Sequence, residues 1–127
     1  MDDAKFEELI NRAIESLPGE FMQKLDNVSI VMQEWPHANQ MRKNVGQGSL
    51  LLGLYEGIPQ IKRGSYGIGG PLPDKITIFK IPILMISKTE DDIEKNVRET
   101  VIHEIAHHFG MDDLEIKKAK EKYNERR

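Results

Sequence analysis

Apolar residues recur at helical spacing from the start of the chain: Phe6, Leu9, Ile10, Ala13, Ile14 and Leu17 share one face. Asp2 or Asp3 can cap this run and Pro18-Gly19 ends it, which predicts a helix over 3–17. Pro18 suits the first turn of a short second helix ending near residue 25, because the amide hydrogen it lacks would be unpaired there anyway. Val28, Ile30 and Met32 then alternate with Ser29, Val31 and Gln33, a strand pattern stopped by Trp35-Pro36. Residues 37–49 are polar, with Gly46 and Gly48. The apolar run Leu50, Leu51, Leu52, Leu54, Tyr55 reads as a second strand closed by Glu56-Gly57.

The stretch 58–74 holds Pro59, Gly64, Gly67, Gly69, Gly70, Pro71 and Pro73, too many breakers for a helix or an inner strand, and is predicted to be a long loop. Ile76 and Ile78 alternate with Thr77 and Phe79 in a third strand over Lys75–Lys80, and Pro82 just beyond it suggests a place at the sheet edge. Thr89 with Asp92 three residues on, beside Glu90 and Asp91, caps a long helix over about 90–109. Ile93, Val97, Val101 and Ile105 form its packing stripe and Gly110 its stop. The tail from Asp112 carries Leu114, Ile116, Ala119 and Tyr123 among charged residues and predicts a last amphipathic helix.

At 127 residues the chain is the size of one core, so a single domain over 1–127 is expected. Charged residues at 31% with a net charge of -3 give no electrostatic reason to expect nucleic acid. The acidic start lacks the basic, then apolar pattern of an export signal, and the longest apolar stretch, Ile81 to Ile86, falls far short of a membrane span. A cytoplasmic protein without membrane partners, monomeric or weakly oligomeric, is the expectation. The absence of cysteine leaves nitrogen and oxygen as the only metal donors.

His103, Glu104 and His107 make the pattern H-E-x-x-H on the predicted long helix. Residues four apart lie one turn above each other, so two imidazoles can hold one zinc ion. Glu104 then stands beside the metal, placed to take a proton from a zinc-bound water and pass it to the leaving group. A hydrolytic site wants a third protein ligand, and a left-handed turn at Gly110 would bring Asp113 back toward the histidines. A competing reading is local: Asp112 with Glu115 can form a capping box, leaving Asp113 a first-turn acid and Glu115 or water as the substitute ligand. His108 points about 100° away from His107 and reads as a supporting or packing residue. His37 reads as exposed, and Tyr55, Tyr66 and Tyr123 are candidate oxyanion donors.

H-E-x-x-H-x-x-G-x-x-D resembles the metzincin signature with aspartate in place of its last histidine, although only fourteen residues follow Asp113 and no Met-turn is present. More of the chain resembles the small bacterial zincin-like metallopeptidases sometimes called minimal metalloproteases. The matching stretches are Phe6-Glu-Glu-Leu-Ile, Leu17-Pro-Gly-Glu-Phe, Leu25-Asp-Asn-Val, Leu51-Leu-Gly-Leu-Tyr-Glu-Gly, Pro73-Asp-Lys-Ile-Thr-Ile-Phe and Val101-Ile-His-Glu-Ile-Ala-His-His-Phe-Gly-Met. The resemblance implies a compact α+β zincin-like fold, a small mixed sheet packed on helices with the H-E-x-x-H helix under the edge strand. It implies His103, His107 and Asp113 as ligands of one zinc ion and Glu104 as the catalytic acid and base. An extended peptide or protein substrate would pair with the edge strand, the role that Lys75, Ile76, Thr77, Ile78, Phe79 and Lys80 fit. The resulting expectation is a zinc metallopeptidase. Alternatives are a zincin-fold metal- or peptide-binding module with little hydrolysis, and a structural domain whose zinc has four protein ligands.

Overall fold

The computed structural model describes residues 1–44, 50–57 and 73–125, with the backbone course alone for 42–44 and 122–125. Residues 58–72 of the predicted loop 58–74, and with them Tyr66, lie outside the described residues, as does the side chain of Tyr123, while Asp74, the last residue of that loop, already belongs to a strand. In chain order the elements are α1 (Asp3–Glu15), α2 (Gly19–Lys24), β1 (Val28–Gln33), α3 (Ala38–Asn44), β2 (Gly53–Glu56), β3 (Asp74–Phe79), α4 (Lys80–Met85), α5 (Glu90–His108) and α6 (Asp113–Glu125). This is the expected α+β architecture.

Local chemistry accounts for the helix boundaries. Asp2 caps α1 by accepting from the Lys5 amide at 2.8 Å. At α5 the Thr89 hydroxyl accepts from the Asp92 amide and the Asp92 carboxylate accepts from the Thr89 amide, a reciprocal capping box. Gly110 ends the same helix with φ +69°, where a side chain would be strained. Met111 N–H donates to Ala106 O at 2.8 Å and Gly110 N–H to His107 O at 3.3 Å, the Schellman closure that pairs these two carbonyls.

Two short helices escaped the sequence pattern. Residues 38–44 have good helix formers in Ala38, Gln40, Met41, Arg42 and Lys43 but no apolar stripe to reveal α3. The run Ile81 to Ile86 is apolar throughout, so periodicity cannot separate strand from buried helix, and it forms α4.

Among the described residues the sheet is mixed and three-stranded, in the order β1-β3-β2. β1 runs parallel to β3, Val28 opposite Asp74 through Gln33 opposite Phe79. β2 runs antiparallel to β3, Gly53 opposite Ile78 through Glu56 opposite Lys75. The strand at Lys75–Lys80 is therefore central, not an edge, and it ends at Phe79 because Lys80 already belongs to α4. Pro82 misled on this point: it sits in the first turn of α4, where no amide hydrogen is needed, and says nothing about the strand before it.

The core is the space between this sheet, α1 and α5. Ile76 and Ile78 of β3, Phe6 and Ala13 of α1, and Val97, Val101 and Ile105 of α5 are fully buried, as the predicted α5 stripe requires. Lys80 is buried as well and its ammonium meets Asp3 at 2.7 Å, tying the start of α4 to the start of α1. Among the described residues no helix is long and apolar enough to cross a membrane.

Two substitutions separate packing from capping. Ile105→Ala should lower unfolding free energy by about 2–5 kcal/mol in denaturant titration, since the cavity opens against both sheet and helix. Thr89→Ala should cost only about 1 kcal/mol, because it removes one cap at an exposed helix end.

Candidate metal centre

α5 has two faces with different tasks. While Val101, Ile102, Ile105 and Ala106 are buried, His103 and His107 emerge on the exposed side, one turn apart. Their ring centroids are 6.2 Å apart with the planes tilted by 49°, so two imidazoles stand side by side at the same surface. Glu104 lies between the two faces and is only partly exposed.

The edge strand β2 closes over this glutamate. The Tyr55 amide donates to Glu104 Oε1 at 3.0 Å across 49 residues of chain. Phe79 N–H donates to Leu52 O at 3.0 Å, so by antiparallel alternation Leu54 and Glu56 face β3 while Gly53 and Tyr55 turn their backbone groups outward. Burial pushes the Glu104 carboxyl above the ordinary carboxylate range, and the Tyr55 amide, then the neighbouring His107 and His103, pull the other way. One Glu104 carboxylate oxygen is thus anchored, and among the described residues Oε2 takes no hydrogen bond.

Tyr55 is held on three sides. Its hydroxyl donates to Asp74 Oδ2 at 2.7 Å, its ring stacks on His108 at 3.9 Å between centroids and 14° between planes, and its amide holds Glu104. The hydroxyl considered for an oxyanion is thus bound to Asp74. His108, in turn, has Phe109 against its ring edge at 5.0 Å, in keeping with a packing role. A cleft of about 370 Å³ opens beside Glu104, lined by Leu51, Leu54, Tyr55, His107 and His108.

Asp113 is placed by a local competition. The Glu115 amide donates to Asp112 Oδ1 at 2.8 Å and the Asp112 amide to Glu115 Oε1 at 3.5 Å, so this pair caps α6 and Asp113 sits exposed in its first turn. Among the described residues no three His, Asp or Glu side chains are gathered as a metal ion needs, and Asp113 is not brought together with His103 and His107. The donor chemistry fits a divalent ion that prefers nitrogen and oxygen: two imidazoles already paired, carboxylates close along the chain, no thiolate. His37 is exposed, its own amide donating to Gln40 Oε1 at 2.7 Å.

Lys75 to Lys80 do not meet the site as a docking edge. β3 is paired on both sides and its backbone groups are spent in the sheet, whereas β2 borders Glu104 and the cleft. The importance of β2 was not visible in Leu51-Leu-Gly-Leu-Tyr-Glu-Gly, since a backbone amide carries no residue-specific mark. The one available sign was Gly53 inside an apolar run, the usual indication of close backbone approach.

The family model of zincin-like metallopeptidases matches residues 25–123. No curated protein matches the chain. Among solved structures, a conserved hypothetical protein from Thermus thermophilus shares 25% identity over 83% of this chain and 91% of its own length. The TM-score between the two is 0.49. The family match spans both the paired imidazoles with Glu104 and the strand that holds that glutamate: the chain belongs to the zincin-like metallopeptidases.

Proposed function

We propose that the protein is a zinc-dependent peptidase in which Glu104 is the acid–base residue and His103, His107 and Asp113 hold one zinc ion. The observation that carries this reading is the state of Glu104: partly buried, flanked by two imidazoles, one oxygen anchored by the Tyr55 amide and the other without a hydrogen bond among the described residues. A carboxylate pushed above its usual range is a better base, matched more closely to neutral operation. Bound zinc would supply Lewis acidity, acidifying water and polarising the carbonyl under attack. Glu104 takes the proton as the water oxygen adds to the carbonyl carbon, and returns it to the amide nitrogen as the carbon–nitrogen bond breaks. The peptide lies along β2 and the cleft walled by Leu51, Leu54 and Tyr55, not along β3.

One observation favours the quieter alternative of a binding module. With Asp113 exposed at the start of α6, two imidazoles alone would hold zinc weakly and hydrolyse little. Metal content and cleavage of a broad peptide library, measured side by side for wild type and Glu104→Gln, decide between them. Both proteins should hold one equivalent of zinc, and Glu104→Gln should cleave ~10²–10⁴-fold more slowly. Zinc in both with cleavage in neither would leave the binding module as the function.

Asp113→Ala tests the third ligand. Zinc affinity should fall by about tenfold or more in a chelator competition, with helix content unchanged, since Asp112 and Glu115 still cap α6. Unchanged affinity would remove Asp113 from the ligand set.

Stability against pH gives a separate check on Glu104. Its carboxyl is raised in the folded chain, so the folded state prefers the protonated form, and stability is lost as pH rises from the unfolded value through the folded one. Glutamine keeps an acceptor for the Tyr55 amide without the buried charge. Metal-free Glu104→Gln should therefore melt above metal-free wild type at neutral pH, and the gap should close in acid. A gap independent of pH would show that burial of this charge is not the cause.

A further inference from the structure

The edge strand and the active helix are locked together in step. Gly53 and Tyr55 of β2 and Gly57 just beyond it lie two residues apart, while Thr100, Glu104 and His108 lie four apart on α5. Two strand residues advance about 6.6–6.8 Å, and four helical residues about 6 Å, so the two series stay aligned over this short span. Each rung is on the structure. A Cβ at Gly53 would meet Thr100 Cγ2 at 2.5 Å, Tyr55 N–H donates to Glu104 Oε1 at 3.0 Å, and a Cβ at Gly57 would lie 3.7 Å from His108 Cε1.

The first rung is the tight one. Thr100 is buried, and its hydroxyl donates to Asn96 O at 2.7 Å, which fixes the rotamer and leaves the methyl toward Gly53. On another side the Gly53 Cβ would approach Thr77 O of β3 at 3.1 Å, a backbone atom that cannot turn aside. We propose that Gly53, seated on the Thr100 methyl, is a positioning residue that sets the height of β2 over α5 and thereby holds the Tyr55 amide on Glu104. Its bearing on catalysis rests on Glu104 as the acid–base residue, and its geometry does not. A methyl at 53 lifts the strand at this rung, and the next rung, a single hydrogen bond, is the first thing lost.

The test is amide hydrogen exchange of the metal-free full chain in wild type, Gly53→Ala and the double variant Gly53→Ala/Thr100→Ser. Serine keeps the hydroxyl bond to Asn96 and removes the methyl, so the double variant moves one methyl from helix to strand. In Gly53→Ala the Tyr55 amide should exchange roughly tenfold faster or more, while Leu54 and Glu56, which face β3, keep their wild-type rates. The double variant should restore most of the Tyr55 protection. A folded Gly53→Ala with wild-type exchange at Tyr55 overturns the proposal. If Gly53→Ala does not fold, the double variant decides: folding with Tyr55 protected supports the proposal, and failure to rescue either property overturns it. Because the readout needs neither zinc nor cleavage, an inactive wild type would sink the peptidase reading and leave this one standing.

Discussion

The burial of one face of α5 is the constraint on which the rest of the structure depends. Val97, Val101 and Ile105 are fully buried, and complete burial of such a side chain contributes about 1.5–3 kcal/mol. That stripe orients the helix against α1 and the sheet, and a helix oriented by four-residue spacing presents everything else at defined angles. His103 and His107 emerge together because they too are four apart, a fraction of a turn from the packed stripe. Core and candidate metal centre are two faces of one element, so neither can be displaced without the other.

Glu104 shows what that sharing costs. It stands at the border of the buried face, where it loses water, and its carboxyl is correspondingly raised. A single backbone amide from β2 offsets part of that loss and fixes the carboxylate's direction. The same strand brings Tyr55 onto His108 and Asp74, so the wall of the cleft and the holder of the glutamate are one residue. Burial that shifts a titrating group in this way is common at functional sites.

Just past the C-terminal end of the same helix two local demands meet. Gly110 turns the chain back, with Met111 N–H bonded to Ala106 O and Gly110 N–H to His107 O. The segment that returns must also begin α6, and Asp112 with Glu115 satisfies that need. Capping bonds form within a few residues, whereas convergence of Asp113 on two imidazoles gathers three like-solvated polar groups at a surface. The cap fixes the start of α6 and with it Asp113 in the first turn.

What the residue pattern determined by itself is whatever depends on neighbours along the chain. The α1 face, the alternation in β1 and β3, the Thr89 capping box, the Gly110 stop, the α5 stripe and the pairing of His103 with His107 all follow from spacings of two, three or four residues. α3 and α4 were hidden because one lacks an apolar stripe and the other is apolar all round. Tertiary structure alone decided which strand is the edge. Pro82 belonged to the helix after β3, and only strand order shows β3 in the centre with β2 over Glu104. It also decided that Tyr55 acts through its amide and that Gly53 meets Thr100, because backbone donors and absent side chains acquire meaning only from what the fold sets against them.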